Sequence, residues 1–164
     1  MPNPVPVLET PRTDDCRPML IAGLSGHYTS KTAHEIPALW QRLVPWLGKI
    51  PGRVGRVDYG LCFSSGGDDF DYLAGVEVSS ASGLPAGFGA FSIPAHKHLA
   101  FPHKGHVSSL KDIITAIWRD WFPAHGQGLD RPATGVPRVI EYYGERFNPQ
   151  TGTGDIEVWI SIKS

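Results

Sequence analysis

Cysteine is scarce in this sequence, and its two cysteines, Cys16 and Cys62, show no CxxC spacing. The sequence therefore predicts neither a disulfide framework nor a zinc site. Because no segment resembles a secretory leader, we expect a reducing, cytoplasmic location. A basic run is also missing, since 15 Lys and Arg stand against 16 Asp and Glu. This balance argues against direct nucleic-acid binding.

Long apolar runs are absent as well. No stretch approaches the roughly eighteen residues that indicate a membrane-spanning helix, so we expect no membrane association. The chain opens with a proline-rich segment, Met-Pro-Asn-Pro-Val-Pro, and we expect residues 1–16 to form a flexible tail. Residues 17–164 are then sufficient for a single domain with a sizeable core.

The sequence does contain an internal repeat. The pattern W-x4-P-x2-G begins at Trp40 and again at Trp118, 78 residues later, and Tyr59-Gly60 matches Tyr143-Gly144 at an offset of 84. Several matches in one order at nearly one offset indicate a duplication. We place the first repeat at about residues 17–82 and the second at about 83–164.

Both repeats have the pattern of a strand, a helix and two further strands. The first helix is predicted to begin at a capping box formed by Thr32 and Glu35. The predicted strands cover residues 21–28, 57–63, 70–78, 98–101, 138–147 and 155–163, and the predicted helices cover residues 36–47 and 110–121. This order predicts an α+β fold of duplicated strand-helix-strand-strand modules, with antiparallel sheets, helices on one side and a central ligand groove.

The alternation of side chains predicts which residues line that groove. The aliphatic sides of the last strands should meet the helices, which leaves Glu77, Glu157 and Trp159 on the opposite side. Because burying a carboxylate against a helix is costly, we place Glu141 there too, together with Tyr143 and, through the repeat, Tyr59. The predicted ligand-binding residues are Glu141, Tyr143, Tyr59, Trp159 and Glu77, with Trp40 reaching the groove mouth from a helix.

A carboxylate among aromatic rings suits an organic cation, because ring faces attract positive charge and the carboxylate supplies the countercharge. The same lining suits a flat apolar ligand. A plainer alternative is that the rings cover one face of the sheet while the carboxylates are solvated at its edge.

Many short motifs in one order resemble the GyrI-like family. This family is the effector-binding domain also found at the C-terminus of AraC-type and MerR-type transcription activators. The motifs are Ile36-Pro-Ala-Leu-Trp40, Tyr59-Gly60, Tyr72-Leu-Ala-Gly-Val-Glu-Val78, Ile93-Pro-Ala95, Phe101-Pro-His-Lys-Gly105, Ile140-Glu-Tyr-Tyr143 and Ile156-Glu-Val-Trp-Ile-Ser-Ile162. The resemblance implies a groove that binds hydrophobic or cationic drugs and dyes, centred on Glu141.

The resemblance also bears on the wider function. The family's activators carry a DNA-binding helix-turn-helix ahead of this domain, and we expect this chain to resemble the stand-alone members that lack one. Their proposed roles are drug sequestration, gyrase inhibition and, in one subgroup, hydrolysis of cyclopropane-bearing genotoxins. We expect a small-molecule binding protein. The alternative is a hydrolase in which Glu141 and Glu77 or Glu157 act as acid and base. Binding to a protein partner, such as a regulator or gyrase, is a further alternative that no motif in the sequence supports.

Histidines form a second candidate feature. His96 and His98 alternate along a predicted strand and share a face, and His103 and His106 follow, which is compatible with a metal site. No carboxylate or cysteine joins them at ligand spacing, so we assign no metal ligands. A distant haem-binding family shares the duplicated architecture, but no histidine is singled out as an axial ligand, and we expect no cofactor.

Overall fold

The computed structural model describes residues 8–64, 68–126 and 135–162 of the chain. The strands are β1 (Arg12–Cys16), β2 (Met19–Thr29), β3 (Arg53–Ser64), β4 (Asp69–Val78), β5 (Gly89–Ile93), β6 (His96–His103), β7 (Val139–Tyr143) and β8 (Ile156–Ile162). The α-helices are α1 (Ile36–Leu43), α2 (Leu110–Ala116) and α3 (Phe122–His125). Within the described ranges, no helix has the length and apolarity needed to cross a membrane.

The strands form one antiparallel sheet of order β1-β6-β8-β7-β3-β4-β2-β5. One module consists of β2, α1, β3 and β4, and the other consists of β6, the helices that follow it, β7 and β8. The modules meet where β3 pairs with β7. The predicted α+β fold of duplicated strand-helix-strand-strand modules is confirmed, with the strands of both modules joined in a single sheet.

The two edge strands are exchanged between the modules. Strand β1 precedes the first module but pairs with β6 of the second, whereas β5 precedes the second module and pairs with β2 of the first. Only Arg17 and Pro18 separate β1 from β2, and so short a link spans at most about 11 Å. The two ends of the sheet therefore lie close together, and the sheet curls into a half-barrel. The segment that we expected to be a flexible tail thus includes a paired strand.

The curled sheet has a helix-facing side and an inner face. On the helix-facing side, Leu39 and Leu43 of α1 pack against β4, and Ile113 of α2 packs in a cluster with residues of β8. The aliphatic sides of β4 and β8 meet the helices, as predicted. The inner face holds a separate core made of strand residues, among them Tyr59, Ile140 and Trp159.

The helices differ in detail from the prediction. Thr32 makes no side-chain capping bond, and its hydroxyl instead accepts a hydrogen bond from the Thr29 amide, so the predicted capping box is wrong. Helix α1 ends at Leu43 and a 3-10 turn, Val44–Trp46, follows it. In the second module a π-helical turn, Ile117–Trp121, separates α2 from α3. Pro123 lacks the amide hydrogen that a regular helix needs there, which accounts for the irregularity.

Candidate functional site

The structure divides the six predicted ligand-binding residues between the two faces of the sheet. Glu141 is paired with Val158, and Tyr143 with Ile156, so both lie on the helix-facing side. Trp40 joins them from α1. The inner face carries Tyr59, Glu77 and Trp159. The prediction that Glu141 and Tyr143 share a face with these three residues is wrong.

Hydrogen bonds explain how a carboxylate is tolerated beneath the helices. The hydroxyls of Tyr72 and Tyr143 each donate to Oε1 of Glu141 at 2.7 Å. The indole Nε1 of Trp40 in turn donates to the Tyr72 hydroxyl at 3.0 Å. Such a connected network offsets part of the cost of desolvating the carboxylate. We call Trp40, Tyr72, Glu141 and Tyr143 the carboxylate cluster.

Gly60 makes the space that the carboxylate cluster occupies. It lies directly opposite Glu141 in the pairing of β3 with β7. A Cβ atom at this position would come within 2.2 Å of the Tyr72 hydroxyl and 2.8 Å of Glu141 Oε1. A side chain at residue 60 would therefore force the tyrosine away from the carboxylate.

The electrostatics of Glu141 are unusual. Desolvation raises its pKa above the ordinary range, and the hydrogen bonds from Tyr72 and Tyr143 oppose this shift. Within the described ranges, no Lys, Arg or His forms an ion pair with it. The residue nevertheless keeps some solvent-accessible surface. Protein atoms thus crowd the carboxylate, although the residue as a whole is only partly buried.

Burial also fixes the protonation of the two tyrosines. Desolvation, followed by the nearby charge of Glu141, raises the pKa of both Tyr72 and Tyr143 well above the usual range. Both hydroxyls therefore remain hydrogen-bond donors to the carboxylate throughout the physiological pH range.

A cavity of about 290 Å³ lies beside the carboxylate cluster on the same side of the sheet. Two of its residues, Cys62 and Val139, are one alternation along their strands from Gly60 and Glu141. Burial raises the pKa of the Cys62 thiol to about 12, and the charge of Glu141 contributes, in keeping with this proximity. The residues that line the cavity are Cys62, Ser64, Phe70, Ile114, Trp118, Arg138 and Val139.

The cavity has an aromatic and cationic wall contributed by the second module. The guanidinium of Arg138 lies 4.3 Å from the centre of the Trp118 ring, and this ring also stacks on Phe122. These two contacts hold the Trp118 ring in place at the wall of the cavity.

On the inner face the carboxylates have cationic partners. Arg12 holds Glu157 through two hydrogen bonds of 2.8 Å, and Trp159 Nε1 donates to the same carboxylate at 2.9 Å. Arg17 binds both carboxylate oxygens of Glu77. Because the sheet separates Glu141 from Glu77 and Glu157, the paired glutamates of the hydrolase alternative are not brought together.

The sequence reasoning missed Tyr72, Gly60 and Cys62 as parts of the site. Tyr72 lies in the row of β4 that is otherwise aliphatic and meets the helices. A hydroxyl in an otherwise aliphatic row requires a buried hydrogen-bond partner. That requirement was the signal that could have directed attention to Glu141.

The raised pKa of Glu141 leads to a prediction about stability. A carboxyl group whose pKa is higher in the folded than in the unfolded chain favours folding when it is protonated, and this contribution is lost as the pH rises through the folded pKa. We therefore expect Glu141→Gln, which cannot ionise, to gain stability relative to wild type as the pH rises above about 4.5. Chemical denaturation of both proteins across pH 4 to 8 would measure this, and a pH-independent difference would contradict it.

The curled antiparallel sheet with helices along one side is the architecture of a small-molecule binding domain. The chain belongs to the GyrI-like small molecule binding domain family, whose model matches residues 10–163. The resemblance noted from the sequence motifs is therefore confirmed.

Comparisons with individual proteins agree with this assignment. The chain is 30% identical over 138 residues to the transcriptional regulator BrlR of Pseudomonas aeruginosa, a match that covers 83% of this chain and 49% of BrlR. The chain thus spans about half the length of this relative.

Two solved structures share the fold. The structure of SAV2435 bound to tetraphenylphosphonium superposes with a TM-score of 0.70 at 17% identity, covering 95% of both chains. The C-terminal domain of EcmrR superposes with a TM-score of 0.62 at 14% identity, covering 95% of this chain and 98% of that domain.

Proposed function

We propose that the chain binds a hydrophobic organic cation on the helix-facing side of the sheet, with Glu141 as the counter-ion. The observation that carries this proposal is a desolvated carboxylate, on a residue that is only partly buried, with no cationic partner within the described ranges. The two tyrosine hydrogen bonds offset the desolvation of this carboxylate only in part, so a countercharge brought by a ligand would stabilise its ionised form.

The surroundings of the carboxylate favour a bulky, weakly hydrated cation. Both tyrosine hydrogen bonds are accepted by Oε1, so neither of them occupies Oε2. Trp40 packs edge-to-face on Tyr143 with ring centres 5.5 Å apart, so aromatic surface lies beside the charge. A small ion such as Mg²⁺ needs several oxygen ligands, whereas a delocalised cation needs one countercharge and apolar contacts.

The adjacent cavity supplies the apolar contacts. Its volume is at the lower end of the range for drug-sized ligands, and its walls include Phe70, Ile114 and Trp118. SAV2435, which shares the fold, is bound to tetraphenylphosphonium, itself a hydrophobic cation. The similarity to BrlR favours a role as the effector-binding unit of a transcription regulator. We propose this role in preference to hydrolysis, since Glu77 and Glu157, the glutamates suggested as partners of Glu141, lie on the opposite face of the sheet.

Titration with tetraphenylphosphonium, followed by tryptophan fluorescence, tests the proposal. We expect Glu141→Gln to weaken binding by about 30-fold, or about 2 kcal/mol, because the amide keeps the shape but removes the countercharge. The neutral triphenylphosphine oxide should bind both proteins with similar affinity. Glu35→Gln, which removes an exposed carboxylate near the start of α1, is the matched control and should leave the affinity unchanged.

Two results would overturn the proposal. One is equal loss of affinity for the cation and for the neutral compound, which would indicate general damage to the site. The other is catalytic consumption of cyclopropane-bearing compounds that stops in Glu141→Gln, detected by mass spectrometry. Recovery of unmodified, co-eluting ligand is the expected outcome.

A further inference from the structure

The inner face carries a second cluster of side chains at the edge formed by β1 and β6. Cys16 is directly opposite His96 in this pairing, and Asp14 is opposite His98. The Cys16 Sγ atom and one ring nitrogen of each histidine all lie within 4.8 Å of one another. The sequence spacing gave these histidines no cysteine neighbour, and the pairing of β1 with β6 supplies one from 80 residues away.

The two histidines have ring nitrogens that lack hydrogen-bond partners. Within the described part of the chain, His96 Nε2 and both nitrogens of His98 are buried and unbonded. The exposed fractions of His96 and His98 are only 6% and 3%. Buried polar atoms are normally satisfied, so three unsatisfied nitrogens beside one thiol call for a ligand.

The orientation of the rings suits metal coordination. His96 Nδ1 lies 3.0 Å from the Pro94 carbonyl and donates its hydrogen to it, which leaves the lone pair of Nε2 directed elsewhere. A backbone carbonyl that fixes the tautomer in this way is the usual partner of a metal-bound histidine. His98 stacks on Trp159 with ring centres 4.3 Å apart, and this contact holds the second ring in place.

We propose that Cys16, His96 and His98 form a binding site for a single Zn²⁺ ion. One thiolate and two imidazoles match the ligand preference of zinc. Asp14 lies beside these ligands, with its Oδ2 atom 4.0 Å from His98 Nε2. Ligand atoms around zinc are separated by about 3.4 Å. Side-chain rotations that move these atoms by roughly an ångström would bring them to the distances that zinc coordination requires.

The position of this site in the fold suggests its effect. Cys16 ends β1, and the two-residue link to β2 follows immediately. A metal held by Cys16 and β6 would fix the end of β1 at the point where the half-barrel closes. The site is on the opposite face from Glu141, so it does not depend on the proposed ligand-binding function.

Metal titration of the reduced, metal-free full chain tests the site. We expect wild type to bind one equivalent of Co²⁺ with a thiolate-to-metal charge-transfer band in the near ultraviolet and visible bands typical of tetrahedral cobalt. Zn²⁺ should displace the Co²⁺ and raise the thermal unfolding temperature. In Cys16→Ser the charge-transfer band should vanish. The Zn²⁺ affinity should fall by more than about 100-fold, which is more than the loss of a group that only hydrogen-bonds to a metal ligand would cause.

Cys62→Ser is the matched control, because Cys62 lies on the helix-facing side. Cys62→Ser should keep the cobalt spectrum of wild type and its affinity for Zn²⁺. Circular dichroism checks that Cys16→Ser is folded. His98→Gln is an independent variant, in which the charge-transfer band should persist while the affinity for Zn²⁺ falls. The proposal is overturned if wild type shows no saturable binding of one metal per chain, or if the band survives in Cys16→Ser.

Discussion

Replacing Gly23 with alanine is expected to lower the free energy of unfolding by about 3 kcal/mol. A Cβ atom at this position would come within 1.9 Å of the Ala74 carbonyl oxygen and 2.6 Å of the Gly75 Cα atom. These are backbone atoms of β4, which is paired with β2 at this point. They cannot move away without breaking the ladder between the two strands. Thermal unfolding should show a loss of roughly 10 °C for a chain of this size.

Gly89 offers a matched control for this substitution. Gly89 lies in the neighbouring strand β5, is paired with Gly23, and has an ordinary backbone conformation. A Cβ atom at Gly89 would meet nothing within 4 Å. We expect Gly89→Ala to change stability by less than about 0.5 kcal/mol. Equal effects of the two substitutions would show that the close approach of β2 to β4 is not what requires glycine.

The fold was largely predictable because the repeat and the hydrophobic periods agreed with each other. The aliphatic rows of β4 and β8 correctly predicted the sides that meet the helices. Pairing of β3 with β7, by contrast, depends on contacts that no local pattern records. The exchanged strands β1 and β5 were missed because both are short and each pairs outside its own repeat.

The error over the site came from the repeat offset in one strand. An offset of 84 aligned Tyr59 with Tyr143 and placed them on one face. In the structure the residues that face the helices are Gly60 and Cys62 in β3, and Val139, Glu141 and Tyr143 in β7. An odd offset therefore relates these two strands. A slip of one residue moves every side chain to the other face of a sheet, which explains why Tyr59 and Tyr143 are separated.

The predicted placement of Glu141 was wrong for a related reason. The desolvation cost of the carboxylate is apparent from the sequence, but the hydrogen bonds that Tyr72 and Tyr143 donate to it are not. Tyr72 is 69 residues away in the sequence, and its partner can be identified only when β3 lies between β4 and β7. The cost of burying a carboxylate can be estimated from the sequence, but the contacts that compensate for it can be identified only once the pairing of the strands is known.

Substitution of Arg17 by alanine is the second change with a large expected effect on stability. Arg17 binds both oxygens of Glu77, which is only 7% exposed on the inner face. Removing one partner of such a pair leaves a buried, unpaired carboxylate, at a typical cost of 3–5 kcal/mol. The Arg17 side chain is 64% exposed, and solvent screens the pair, so we expect a loss of about 3 kcal/mol.

A double substitution separates the buried charge from the lost contact. If the unpaired carboxylate causes the instability, then Glu77→Gln added to Arg17→Ala should recover most of the loss in metal-free protein. Arg12→Ala is the matched control, because its partner Glu157 keeps 16% exposure and a hydrogen bond from Trp159, and we expect a loss of about 1 kcal/mol. If the double variant is as unstable as Arg17→Ala, then Arg17 stabilises the closure of the half-barrel through packing at the link from β1 to β2, and the charge of Glu77 is not the cause.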